Sequence, residues 1–307
     1  MPVPIEDRTF PLSTTTAAAV PVIAGLAAIA DRFDAALLDQ WGVIHDGTKP
    51  YLGVIACLEA MRKAGKRIVM LSNAPRRAGL SRERLRTYGI DPALVEGVVT
   101  SGEATHRAVA EGAIPALAGA RTYFHVGRFD HSDDVLLGLP LERVEDVGAA
   151  DFLLVTNLRR ETDELGPYEA TLAAATKRGL PLLCANPDLE VVHNGRRELC
   201  AGAVAARYAE LGGVPHYRGK PHPEVYGMVR ALLPDVAPAR MLAVGDGLGT
   251  DILGGRRAGH PTLLVTGGLL ADRWGIAPQA VPDPAHLAAA CAEAGTAPDW
   301  AIPTLAW

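Results

Sequence analysis

The sequence predicts an α/β protein built on a parallel sheet, on two observations. Helix-like and strand-like signals alternate along almost the whole chain. Four polar sites lie at or just beyond a strand or at a helix start, and in open α/β sheets ligands gather at the carboxyl ends of the strands. The 307 residues are enough for a large core or two domains.

The elements follow in order. Residues 35–39 (AALLD) are a short apolar run ending in a carboxylate. Residues 53–64 have helical spacing, with Val54, Leu58 and Met61 on one face, and Gly65 closes that helix. Residues 67–71 (RIVML) are a second buried strand, and 76–88 read as a polar helix ended by Gly89. Strand signals recur at 121–126 and 151–155, a helix at 163–178 ends at Gly179, and 181–185 (PLLCA) is another strand. Helices at 198–211 and 222–233 follow, and strands at 241–245 (MLAVG) and 262–265 (TLLV) complete the pattern. The Pro- and Ala-rich tail carries Trp274, Trp300 and Trp307, which predicts that it docks on the body.

Composition narrows the function classes. Hydrophobic residues make up 49% and charged residues 21% of the chain, with a net charge of −5, so nothing suggests a nucleic-acid surface. The arginine pairs at 76–77, 159–160, 196–197 and 256–257 are scattered and read as solvated faces. Cys57, Cys184, Cys200 and Cys291 lack C-x-x-C spacing and sit in apolar contexts, so they read as buried free thiols of a cytoplasmic protein. The apolar stretch 17–30 is 14 residues long, shorter than the ~20 a membrane span needs, and reads as a core-packing helix.

The four polar sites carry chemistry only together. Asp39 ends the first strand, where a carboxylate can attack phosphorus, and Gly42 permits a tight turn that brings backbone amides near a phosphate. Ser72 and Asn73 follow RIVML and can hydrogen-bond phosphate oxygens; each alone would read as a helix cap. Lys220, just before a helix start, can neutralise both phosphate and nucleophile. Asp246 and Asp251 flank a glycine-rich turn in GDGLGTDILGG, residues 245–255, and offer hard oxygen ligands suited to Mg²⁺. A dinucleotide-binding glycine loop is the rival there, disfavoured by a carboxylate where a pyrophosphate would approach.

In this order and placement the chain resembles the haloacid dehalogenase superfamily. Asp39, Ser72, Lys220 and the pair Asp246 and Asp251 match its four motifs, and LSNAPR, CANPD and GKPHPEVY are similar to its class IIA (NagD-like) members. The resemblance covers roughly residues 30–270. It implies a Rossmann-like core at 1–107 and 198–307 with an inserted α/β cap at 108–197. It also implies a Mg²⁺-dependent phosphatase of a small phosphorylated metabolite, acting through an aspartyl-phosphate on Asp39. Asp39, the Trp41 backbone carbonyl and Asp246 would then hold the metal, with Asp251 in support, while Ser72, Lys220 and Asn73 would hold phosphate. Cap candidates are His125, Arg128, Asn157, Asn186 and Asp188, with His222 near Lys220. Members of the class often pair through their caps, so the resemblance also implies a homodimer.

One position departs from the pattern. Phosphatases of this family usually carry Asp two residues after the nucleophile as general acid and base; here Trp41 stands there, and an indole N–H does not titrate. Candidate substitutes are His45, Asp46, Asp188 and His193, although His45 and Asp46 also read as turn residues before Gly47. The competing expectation is a weak or inactive relative that binds a phosphorylated ligand for regulation.

Overall fold

The computed structural model describes residues 20–128, 134–158, 164–193 and 196–307. Residues 17–19 of the apolar stretch and the arginine pair at 159–160 lie outside them. The chain opens with β1 (Ala35–Leu38), α1 (Val54–Lys63), β2 (Arg67–Ser72), α2 (Ala78–Arg84), β3 (Gly97–Thr100) and α3 (Ser101–Ala110). It continues with β4 (Thr122–Val126), β5 (Glu142–Val144), β6 (Phe152–Val155), α4 (Glu169–Arg178), β7 (Pro181–Cys184), β8 (Glu190–His193), β9 (Arg196–Leu199), α5 (Ala201–Glu210) and β10 (Val214–Tyr217). It closes with α6 (Pro223–Leu232), β11 (Met241–Gly245), α7 (Leu253–Arg257), β12 (Thr262–Val265), α8 (Leu269–Trp274), α9 (Pro284–Ala294) and β13 (Trp300–Ile302).

These strands form two parallel sheets and a hairpin. The core sheet has the order β13-β12-β11-β1-β2-β3, and the cap sheet β10-β7-β6-β4-β5. Strands buried on both faces read as continuous apolar runs, which is why they stand out in the sequence. In β1, Ala36 and Leu38 enter one core cluster while Ala35 and Leu37 enter the cluster on the opposite face. The cap sheet behaves likewise: Leu153 and Val155 face one cluster, Phe152 and Leu154 the other.

The boundary of the insert needs correction. The sequence reading returned the chain to the core at 198, but β9 pairs with β8, β10 extends the cap sheet beside β7, and α5 buries Val204, Ala205 and Tyr208 in the cap cluster. The chain rejoins the first layer with α6, whose Val225, Tyr226 and Val229 pack beneath β1 and β2. The short and polar β5, β8, β9 and β10 escape an apolar-run search; β10 contains Pro215 and His216.

The tail docks as expected. β13 pairs with β12, Trp300 and Trp307 pack on the main core cluster, and Trp274 on its neighbour. Within the apolar stretch, Leu26–Arg32 forms a 3-10 helix that buries Leu26 and Ile29. No described helix is long and apolar enough to cross a membrane. All four cysteines are buried and unbridged.

Candidate active site

In the core sheet the strand order reverses between β1 and β11. That is the topological switch point where the carboxyl ends of the strands open a crevice. The register Leu38 to Val244 sets Asp39 and Asp246 just past adjacent strand ends, and the Asp39 amide donates to the Val244 carbonyl (2.9 Å). Ser72 ends β2 on the other side of β1. A single π-helical turn (Leu248–Ile252) folds Asp251 back toward Gly245, where an added Cβ would lie 1.9 Å from the Asp251 carboxyl carbon. Within the glycine-rich run, Gly245 is therefore the clearance point for Asp251.

Lys220 arrives from the cap side, after β10, and is 2% exposed. Its Nζ lies 2.8 Å from Asp39 Oδ1 and donates to Asp251 Oδ1 at 2.7 Å. The Asn73 amide locks the lysine backbone in place. Asn73 Oδ1 accepts the Lys220 N–H (2.7 Å), while its Nδ2 donates to the Lys220 carbonyl (3.2 Å) and to Asp188 Oδ1 (2.8 Å). Asn73 is thus a clamp for the lysine and the cap loop. Its expected phosphate contact is displaced because both amide protons are already engaged.

Gly42 makes the tight turn read in the sequence, but its own amide is spent within that turn. Its N–H donates to the His45 carbonyl (3.0 Å), closing the turn instead of facing a phosphate. It adopts φ +81°, and a Cβ there would lie 2.1 Å from Asp246 Oδ2. The position demands glycine for both reasons. The Ser72 hydroxyl accepts from the Ala74 amide (3.2 Å), which leaves its own proton for the cavity.

The carboxylates of Asp39, Asp246 and Asp251 place ligand atoms within 4.8 Å of one another, all buried. Three carboxyl groups share one lysine, so acidic groups outnumber basic ones in the cluster. Burial, followed by repulsion from Asp251, pushes the Asp246 carboxyl up to about 7. Burial also raises Asp39 well above the usual carboxylate range, against the pull of Lys220. The donor set fits a hard divalent cation. Asp251 is the most committed of the three: Oδ1 holds Lys220, and Oδ2 accepts from the Gly247 amide (3.2 Å) and the Thr250 hydroxyl (3.3 Å). Among the described residues, nothing donates to Asp39 Oδ2, Asp246 Oδ1 or the Trp41 carbonyl, so these are the oxygens left for a metal.

A cavity of about 160 Å³ sits over this cluster, lined among others by Asp39, Ser72, Asp188 and Asp246. It adjoins an open cleft of about 940 Å³ on the His222 and Arg197 side. Trp41 lines the cavity with its ring edge-on to His45 and His193 (5.6 and 5.3 Å), and its Nε1–H donates to the Val192 carbonyl of β8 (2.8 Å). The core turn after Asp39 therefore grips the cap hairpin. A second grip comes from Arg197 of β9, which pairs with Asp272 of α8 at 2.7 Å. Neither contact has a sequence signal, because the partners lie 151 and 75 residues apart.

The structure does not bring every candidate to the site. His45 stacks on Tyr88 (4.2 Å), its Nδ1 accepts from the Gly47 amide, and burial pushes it down to about 4. Asp46 accepts from the Thr48 and Lys49 amides. Both are turn residues and neither lines the cavity. His193 contacts Glu198 (3.2 Å) across the hairpin. His125 bonds Thr156 (2.9 Å), and the Arg128 amide donates to Asn157 (2.9 Å); these stay at the ends of cap strands, away from the cavity. His222 stacks on Tyr217 (5.9 Å) beside the open cleft. Asn186 and Asp188 do line the cavity, with the Asp188 amide donating to Asn186 Oδ1 (3.1 Å). Arg76, which the sequence reading placed on a solvated face, lines it too, as does Glu190, which that reading passed over.

Known proteins resemble this chain in sequence and fold. Residues 36–132 match the family model described as haloacid dehalogenase-like hydrolase, and residues 217–299 match one described as HAD-hydrolase-like. A haloacid dehalogenase-like family hydrolase from Brucella suis 1330 superposes with a TM-score of 0.77 at 30% identity, covering 92% of this chain and all of that one. The D-glycerol 3-phosphate phosphatase of Mycobacterium tuberculosis is 32% identical over 244 residues, 78% of this chain, and the chain spans 65% of that protein's length. A magnesium complex of the glycerol phosphate phosphatase from the same organism aligns with a TM-score of 0.60 at 25% identity, over 78% of this chain and 70% of that one. Two family models that between them take in most of the core sheet, with a structural match over 92% of the chain, establish that the chain belongs to the haloacid dehalogenase-like hydrolases, in the class IIA (NagD-like) branch with an inserted α/β cap.

Proposed function

We propose that the protein is a Mg²⁺-dependent hydrolase of small phosphate monoesters, with Asp39 as nucleophile. The observation that carries this reading is Lys220, buried between Asp39 and Asp251 in a cluster of three carboxylates. A bound Mg²⁺, held by Asp39, Asp246 and the Trp41 carbonyl with Asp251 behind them, would offset the cluster's negative charge and polarise a phosphoryl oxygen. The likeness to a glycerol phosphate phosphatase solved with magnesium supports the same choice.

The chain's own groups divide the work. Asp39 attacks phosphorus as the ester P–O bond breaks, giving an aspartyl-phosphate, and water then displaces Asp39 to release inorganic phosphate. Lys220 keeps Asp39 oriented and lowers the cost of bringing a phosphate to it. The Ser72 hydroxyl donates to a phosphoryl oxygen. Such a site works mainly by positioning and charge neutralisation. The cavity of about 160 Å³ favours a compact leaving alcohol. The four unbridged buried thiols favour a reducing, cytoplasmic setting.

Incubating the protein with Mg²⁺ and a panel of phosphate esters tests this reading. Turnover well above an Asp39→Asn control is expected. If no ester exceeds that control, the protein is a binder of phosphorylated ligands, the alternative that the untitratable Trp41 favours.

A further inference from the structure

The proposed hydrolase has a gap: the leaving alcohol needs a proton, water must lose one, and Trp41 can do neither. We infer that Asp188, delivered by the cap, is the general acid and base of this site. The inference rests on the phosphatase reading above.

The ionisable lining of the cavity narrows the choice. Asp39, Asp246 and Asp251 are committed to nucleophile and metal. Arg76 does not titrate in the working range. Glu190 is partly exposed and engaged by Arg197, whose Nη1 lies 2.9 Å from its Oε1. Burial pushes the Cys200 thiol up, out of the working range, and among the described lining residues that leaves Asp188. Its Oδ1 is fixed by Asn73 Nδ2 (2.8 Å), the same amide that clamps Lys220, so it is rigid relative to the nucleophile's partner. Among the described residues nothing donates to its Oδ2, which is left to the cavity. Burial favours the protonated carboxyl, against the pull of Lys220 and the Asn73 hydrogen bond.

Trp41 and Asp188 also belong to one mechanical unit. Asp188 stands two residues before β8, the strand that Trp41 grips through Val192. The position that lacks the acid therefore holds the cap segment that carries its replacement.

The proton balance closes. Neutral Asp188 gives its proton to the bridging oxygen as the P–O(alkyl) bond breaks and the Asp39–phosphorus bond forms. The resulting carboxylate takes a proton from water as the water oxygen bonds phosphorus and the Asp39–phosphorus bond breaks. Alcohol and phosphate leave, and Asp188 is neutral again.

Asp188→Asn is the direct test, because its Oδ1 still accepts from Asn73 while the titrating group is gone. Glycerol 3-phosphate has a poor leaving group and p-nitrophenyl phosphate a good one, both assayed with Mg²⁺. On the glycerol ester kcat/KM should fall about 10²–10⁴-fold, the usual worth of acid–base help. On the nitrophenyl ester the first turnover should survive, giving a burst of one nitrophenolate per protein followed by a slow steady state, because the base for the second step is missing. Asp188→Glu, which misplaces the carboxyl without removing it, should show a smaller loss, again selective for the glycerol ester, and it carries the test alone should the asparagine variant not fold. Equal losses on both esters without a burst, or undiminished activity, overturn the role of Asp188 while leaving the phosphatase reading intact. A parent protein no better than Asp39→Asn overturns both.

Discussion

Replacing Asp246 by asparagine should stabilise the metal-free protein while abolishing its response to Mg²⁺. In the cluster, the buried carboxyl groups of Asp39, Asp246 and Asp251 share one lysine, Lys220. Burial and Asp251 lift Asp246 from 3.8 to about 7. A carboxyl raised on folding binds more protons folded than unfolded. Its cost to stability is therefore absent below about pH 4, grows as pH rises through the window, and is complete above about 7. At ~1.4 kcal/mol per pKa unit the ceiling is about 4 kcal/mol, and sharing the repulsion with Asp39 and Asp251 sets the expected gain at about 2–4 kcal/mol. Asparagine keeps an oxygen for the Leu269 amide that now donates to Asp246 Oδ2 (3.0 Å), so little is lost in exchange.

For 307 residues, an unfolding entropy of ~2.1 cal/mol/K per residue makes that gain a rise of roughly 3–6 °C. Thermal melts followed by circular dichroism, in chelator at pH 8 and pH 4, are the assay. The variant should melt higher at pH 8 and level with the parent at pH 4. Added Mg²⁺ should raise the parent's melting point, as any ligand of the folded state does, and leave the variant's unmoved. A variant that melts at or below the parent at pH 8, or gains equally at both pH values, would refute the electrostatic account of the cluster.

Two further outcomes are expected. Gly42→Ala places a methyl 2.1 Å from Asp246 Oδ2 at φ +81°, so it should lower stability by about 1–3 kcal/mol and weaken Mg²⁺ binding, seen as a reduced Mg²⁺-dependent melting shift; an unchanged shift would count against the fit of that turn to Asp246. Trp41→Phe keeps the ring but removes the hydrogen bond to Val192, worth about 0.5–1.5 kcal/mol, so amide exchange across residues 190–199 should accelerate about 2- to 12-fold; equal exchange in both proteins would mean that the indole does not hold the hairpin.

Much of the core was readable because strands covered on both faces must be apolar throughout. β1, β2, β11 and β12 stood out for that reason, and so did the carboxylates that end two of them. The cap was harder. Its edge strand β5, its hairpin and the Pro215-containing β10 carry mixed residues, since they are exposed on one side or pair only locally. The insert's C-terminal limit was misplaced for the same reason: nothing in residues 201–210 says which sheet their apolar face covers, and that face packs in the cap.

The sequence by itself picked out Asp39, Lys220, Asp246 and Asp251, which the fold gathers into one buried cluster, because their residue types, chain order and placement at strand ends and a helix start form a recognisable pattern. It also revealed that Trp41 stands where a titrating group is expected. The tertiary structure decided what the remaining polar residues do. Asn73 became a clamp once its amide met Lys220 and Asp188 across 147 and 115 residues. His45 became a turn residue once it stacked on Tyr88. Gly42 became a clearance point for Asp246, and Trp41 a grip on the cap. These roles depend on which side chains distant segments bring together, and a pattern read along one chain encodes a partner only when that partner is local.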